Sequence, residues 1–427
     1  MKSYRLSELD RDSIQDLCRR NPVTDSEVMD TCRDIFRQVS VNGDEAIRLL
    51  TERFDGVKQN AIRVEEKQFV QAEEEVSDEV KEALGEAVRN IRKFHASQQL
   101  PDDAVVIRQG ILCWRENRAI DSVGLYVPGG NAVLPSTVLM LGIPASLAGC
   151  RRIQLCVPPR VDGSVAPEIL VAAEMVGIHD VFAVGGAQAI AAMSLGTDSV
   201  PAVDKIVGPG NRWVQGGKLL AMLAGTAIDM VAGPTEVLVI TDEFASPELI
   251  CSDLISQAEH GSDSRAIVVS TSPTILENVT QLIWSQMKDL PRREYAETAL
   301  HDSFVMLADS LESAFGFANR YAPEHLILHL EKPREWLQEI RNAGSVFLGA
   351  WSPEVAGDYA SGTNHTLPTS GLARSYSGVS LDTFVKKITF QELSEQGFRA
   401  LAPTLEILAN VEGLEGHRRA VRARLGG

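Results

Sequence analysis

The chain has 427 residues, 44% of them hydrophobic, and carries a formal charge of -17 from 41 basic and 58 acidic side chains. That length suggests about three units of ordinary domain size, and the apolar share excludes a disordered composition. The acidic balance argues against a nucleic-acid phosphate binder. Six cysteines, at 18, 32, 113, 150, 156 and 251, form no C-x-x-C pair, so their spacing indicates neither a thiolate zinc site nor a redox motif. The N-terminus leads into charged sequence with no apolar h-region. The most apolar run, Val138 to Gly149, is too short to span a bilayer and holds Pro144. A cytoplasmic protein with reduced thiols and no membrane segment is expected.

Residues 1 to 100 read as helical. Thr24-Asp25-Ser26-Glu27 has the capping-box pattern, and Val28, Cys32, Ile35 and Val39 follow at helical spacing. Asn42-Gly43 breaks the chain before a further helix, Asp44 to Phe54. Ser77 can cap a longer helix with Val80, Leu84, Val88 and Ile91 on one face. His95, without a partner in this region, reads as a surface residue. Residues 104 to 127 carry strand-like runs that end in a glycine turn, Pro128-Gly129-Gly130-Asn131.

From there the pattern alternates. Strands at 153–157, 181–184 and 205–207 alternate with helices at 167–176, from Gln188 to Leu195, and up to about Leu223. Gly185-Gly186-Ala187-Gln188 and Gly208-Pro209-Gly210-Asn211 lie at the strand-to-helix turns. This repeat predicts a parallel sheet with crossover helices, and ligands bind such sheets at the carboxyl ends of the strands. The dinucleotide fingerprint G-x-G-x-x-G is absent. The glycines either let backbone approach a phosphate at a helix start or only make tight turns. After Ala232-Gly233-Pro234-Thr235, a plausible boundary, another unit follows: strands 236–241 and 265–270, helices 246–260 and 273–287, and a possible short strand at 304–307.

Gln257 and His260, three apart at the end of the helix 246–260, share a face. An amide oxygen and an imidazole side by side are half of a first-row metal site. Glu324 and His325 supply two proton-transfer groups with different resting charge. They serve one site only if the chain turns at Pro323, because adjacent side chains on a strand face opposite ways. Residues 356 to 378 form the least regular stretch, where Asp358 and His365 are possible ligands. For His365 the preferred reading is a loop residue bonded to backbone. The last 45 residues read as helical, with Glu412 and His417 ahead of a basic end.

These motifs together resemble the histidinol dehydrogenase family. The matching stretches are Gly124 to Gly130, Val184 to Ala189, Val203 to Asn211, Ser256 to Gly261, Tyr321 to His325 and Gly357 to His365. The likeness runs in order from about residue 25 to the C-terminus. It implies an α/β fold with two incomplete Rossmann-like parallel-sheet domains, helical N- and C-terminal extensions, and an intertwined homodimer. The implied boundaries are an N-terminal extension over 1–24, a first domain from 25–123 with 237–380, a second with the NAD contacts over 124–236, and a C-terminal segment, 381–427, crossing to the partner. The implied activity is four-electron oxidation of L-histidinol to L-histidine through L-histidinal, with two NAD and one zinc ion per subunit.

By motif, Gln257, His260, Asp358 and His417 would hold zinc. Glu324 and His325 would move protons, and Tyr126, Gln188 and Asn211 would touch NAD. Thr235 and Glu412 would help hold substrate, together with Gln257, His260, His325, Asp358 and His417. The family's usual Gly-Pro-Ser-Glu reads Gly233-Pro234-Thr235-Glu236 here, which keeps the hydroxyl and adds a methyl. A relative acting on another polar alcohol, such as a sulfonated diol, is the alternative that this change leaves open.

Overall fold

The computed structural model describes residues 1–20, 26–59, 61–99, 104–129 and 132–426. Thr24 and Asp25 of the expected capping box, and Gly130 and Asn131 of the first glycine turn, lie outside the described residues. Two compact units are present: residues 1–98 with 120–384, and residues 99–119 with 385–427.

In chain order the first strands are β1 (Lys2–Arg5), β2 (Val105–Arg108), β3 (Ile111–Ala119), β4 (Ser122–Tyr126), β5 (Arg152–Val157), β6 (Asp180–Ala183), β7 (Lys205–Val207) and β8 (Ala227–Ile228). They are followed by β9 (Glu236–Thr241), β10 (Arg265–Ser270), β11 (Phe304–Leu307), β12 (His325–His329), β13 (Ser345–Leu348) and β14 (Val385–Leu393). The larger unit holds two all-parallel sheets. One runs β6-β5-β4-β7-β8 and the other β1-β11-β10-β9-β12-β13. Counted along the chain from β4, and again from β9, each sheet has the order 3-2-1-4-5, with β1 added at one edge of the second. That order reverses direction beside its first strand, which opens a crevice there.

The central strands are continuous apolar runs because both faces are covered by helices. Every residue of β9 is buried. The run from Val138 belongs to the helix Pro135–Ala148, whose residues 136 to 145 are buried on every side. It is a core helix, and among the described residues no helix is long and apolar enough to cross a membrane. The helix Ser26–Asp55 breaks at Gly43, where φ is +52°. Ser77 caps the helix Asp78–Ala96 by accepting from the Val80 amide. All six cysteines are free thiols.

Four expectations need correction. The first 100 residues are not wholly helical, since β1 pairs in parallel with β11, about 300 residues away. The C-terminal region is not wholly helical either: β14 pairs antiparallel with β3 along nine residues in the smaller unit. His95 is fully buried. It sits four residues after Ile91 on the apolar face of its helix, and its Nδ1 bonds the Ile91 carbonyl at 2.9 Å. The irregular stretch begins inside a helix, Glu354–Tyr359, which presents two carboxylates one turn apart.

Candidate active site

The site forms at the amino ends of β9 and β12. Thr235 and Glu236 lead into β9, and Glu324 and His325 lead into β12, with His325 opposite Val237 in the parallel register. Ala322, with φ +52°, ends the helix Leu311–Tyr321 in a left-handed cap. The chain then turns through Pro323, and the Glu324 carboxylate ends 3.7 Å from the His325 ring. The turn that this pair required is therefore present.

The helix Pro247–Ala258, capped by Ser246, runs back from the end of β9 to the start of β10. Its C-terminus thus faces the amino ends of the strands. Helix C-termini carry partial negative charge and favour cations. Gln257 lies fully buried in its last turn. His260 follows just beyond, exposed, with its amide bonded to the Gln257 carbonyl at 3.3 Å. The carboxyl-end rule does not cover this cluster, because oriented helix ends make that side of a sheet the anion side.

Donor atoms of His260, Glu354 and Asp358 all lie within 4.8 Å of one another. Glu354 was absent from the sequence-derived set. The helix Glu354–Tyr359 puts it one turn before Asp358, on the same face. The amide of Gln257 meets its neighbours best with Nε2 donating to Glu354 at 2.9 and 3.1 Å and Oε1 accepting from the Thr235 hydroxyl at 2.9 Å. Thr235 also lies 2.6 Å from Glu324 Oε2, which accepts from the Glu236 amide at 3.0 Å.

Burial controls the charges here. It raises Glu324 and Glu354 well above the usual carboxylate range, with neighbouring carboxylates adding to the effect. It raises Asp358 to about 7 and lowers His325 to about 3. His325 is therefore neutral. Its Nδ1 lies 3.3 Å from the Glu236 carbonyl, which can only accept, so the proton is assigned to Nδ1. Nε2 then carries a lone pair, is buried with no hydrogen-bond partner among the described residues, and lies 3.8 Å from Asp358. Arg20 reinforces the frame from below. It pairs with Glu236 at 2.9 and 3.0 Å, donates to the Tyr321 carbonyl at 2.8 Å and stacks on the Tyr321 ring. His365 is bonded to the Asp358 carbonyl at 2.9 Å and to Thr137 at 3.1 Å, as a residue that holds the loop.

Tyr126, Gln188 and Asn211 lie at the carboxyl ends of the other sheet. Tyr126 closes β4, and its hydroxyl accepts from the Gly186 amide at 3.0 Å. Gln188 is buried in the first turn of the helix Gly186–Leu195. Asn211 caps the helix Arg212–Leu223, accepting from the Trp213 and Val214 amides. The glycines of these turns answer to close packing of the chain on itself. A side chain at Gly208 (φ +142°) would overlap the Tyr126 carbonyl, and one at Gly185 would overlap Pro158. Beneath the Gly208 turn lies a buried ion pair, Lys218–Asp229. Lys218 donates to the Gly208 carbonyl at 2.9 Å, and Asp229 accepts from the Gly208 amide at 2.8 Å.

Glu412 and His417 are exposed in the smaller unit, at the end of the helix Glu395–Val411 and in the helix Glu415–Leu425. Gln257, His260, Glu324, His325, Glu354 and Asp358 all belong to the larger one.

The histidinol dehydrogenase family model matches residues 18–425. It belongs to the histidinol dehydrogenase family. Histidinol dehydrogenase of Vibrio parahaemolyticus is 48% identical over 98% of this chain and 96% of its own length. The chloroplastic histidinol dehydrogenase of Arabidopsis thaliana is 49% identical over 100% of this chain and 91% of that protein. The crystal structure of histidinol dehydrogenase from Elizabethkingia anophelis superposes with a TM-score of 0.96 at 45% identity, covering 100% of this chain and 98% of that one. As a member of the histidinol dehydrogenase family, the protein is an oxidoreductase that acts on a small molecule.

Proposed function

We propose that the protein oxidises L-histidinol to L-histidine through L-histidinal, using two NAD and one zinc ion per subunit, as a cytoplasmic homodimer. The observation that carries this reading is the unpartnered Nε2 of His325 beside the donors of His260, Glu354 and Asp358. The donor set fits zinc: imidazole, carboxylate and amide oxygen are all ligands it accepts, though manganese and cobalt accept them too. His260, Asp358 and Gln257 would hold the ion. The Gln257 amide must turn to offer its oxygen, which gives up its bonds to Glu354. Bound there, the ion would orient the imidazole and amine of histidinol, while NAD accepts the hydride.

The chain's own groups handle the protons. In the first oxidation His325 Nε2 takes the hydroxyl proton as hydride leaves the carbinol carbon. Asp358, 3.8 Å from the ring, strengthens it as a base when ionised. In the second, Glu324, once ionised, takes a proton from the water that adds to the aldehyde, and His325 again takes a proton as the hydrate gives its hydride to the second NAD. Tyr126, Gln188 and Asn211 contact NAD, and Thr235, with Glu412, helps hold substrate.

The test is NADH formation from L-histidinol by purified protein, with and without chelator and restored zinc. NADH formation that chelator abolishes and zinc restores supports the reading. No NADH from L-histidinol, with turnover of a sulfonated diol instead, overturns the substrate. His417 and Glu412 are assigned to the partner's site. Mixed dimers of His260→Ala and His417→Ala subunits then regain activity through one intact site, and verified heterodimers without activity refute the sharing.

A further inference from the structure

The sheet β6-β5-β4-β7-β8 changes direction beside β4, and its half made of β4, β5 and β6 corresponds to the half that receives adenosine in dinucleotide folds. Such folds place a carboxylate after the second strand, where it binds the ribose 2′-hydroxyl. Here β5 ends at Val157 and continues as Pro158-Pro159-Arg160, with no carboxylate. Arg160 is the cation that a 2′-phosphate would need, but the carboxylate of Asp162, held low chiefly by hydrogen bonds from Ser164 and in smaller part by Arg160, lies two residues away in sequence.

A carboxylate does reach this end of the sheet from elsewhere. Asp55 is the last residue of the helix Ser26–Asp55, is exposed, and accepts from Gln188 Nε2 at 3.4 Å. The Tyr126 phenol is raised by burial, and the negative charge of Asp55 adds to that shift, so the two groups share one electrostatic environment. Gly186, whose amide donates to the Tyr126 hydroxyl, joins Tyr126 to the turn that carries Gln188. Nothing in the reaction as derived above uses Asp55.

We propose that Asp55 is the residue that selects NAD over NADP: its carboxylate accepts the adenosine ribose hydroxyls, held in place by Gln188, and its charge repels a 2′-phosphate. The inference rests on the reading of the protein as an NAD enzyme. Specificity then comes from repulsion of the wrong nucleotide as much as from attraction of the right one. Asp55 acts from a helix end outside the sheet, in place of the missing carboxylate after β5.

The test is fluorescence titration of the zinc-loaded protein with NADH and with NADPH, for wild type, Asp55→Asn and Asp55→Ser. Zinc content and circular dichroism are checked for each. Wild type should prefer NADH. Asp55→Asn should bind NADH about tenfold more weakly, the size of one lost hydrogen bond to a charged group, and should bind NADPH no worse or better. The preference therefore narrows by at least about tenfold. An unchanged NADH-to-NADPH ratio in both variants overturns the assignment, as does a wild type that binds the two nucleotides alike. Failure of wild type to bind either nucleotide overturns the NAD reading itself, and Asp55 with it.

Discussion

The buried pair beneath the Gly208 turn offers a quantitative test of how this fold holds its nucleotide-side loop. Lys218 and Asp229 have side chains only 1% and 2% exposed. Each also bonds one backbone group of Gly208, at 2.9 and 2.8 Å. Lys218→Met leaves the Asp229 charge buried and unpaired, which costs about 3–5 kcal/mol. Asp229→Asn strands the ammonium at a similar cost of about 3–5 kcal/mol. The double variant removes both charges. Its Asn still accepts from the Gly208 amide, so the remaining loss is the unsatisfied Gly208 carbonyl, about 1–3 kcal/mol. Urea unfolding, followed by the intrinsic fluorescence of the five tryptophans, reads all four proteins. The double variant should be more stable than either single one. A double variant whose loss equals the sum of the two single losses, to within about 1 kcal/mol, would refute the coupling on which the argument depends.

Three further outcomes follow from the site. Glu324→Gln should impair oxidation of L-histidinal at least about a hundredfold, within the range for a lost general base, and oxidation of L-histidinol far less; equal losses with each substrate supplied separately would reject the division of labour. In the metal-free protein Asp358 is raised to about 7. Its stabilising contribution is therefore full below its unfolded value near 3.8 and is lost as pH rises through about 7. A cation must displace that proton, so zinc affinity should climb with pH up to about 7 and then flatten, and calorimetry that finds it level from pH 5.5 to 7 would contradict this. Arg20→Met should cost about 3–5 kcal/mol by stranding buried Glu236, and an unfolding midpoint unchanged from wild type would show that the pair contributes nothing.

Much of the parallel sheets was legible because buried strands are short apolar runs bounded by glycine and proline. The strands β5, β7, β9 and β10 read directly from such runs. β1 did not, since Lys-Ser-Tyr-Arg has no apolar pattern and its partner β11 is about 300 residues away. β14 carries Lys386-Lys387 and polar alternates, and only its pairing with β3 makes it a strand. His95 misled because it was judged as a lone polar residue, although Leu84, Ile91 and His95 continue one buried face. In the site, Gln257, His260, Glu324 and His325 were visible in motifs. Glu354 was not, because a helix of six residues is too short to show a period.

β1 has one more consequence. Its four residues cover the outer edge of β11, whose hydrogen-bonding groups would otherwise be open. Trimming the first few residues would bare that edge to any passing extended peptide, another copy's β11 included. Loss of this small plug should therefore show as self-association and precipitation on storage.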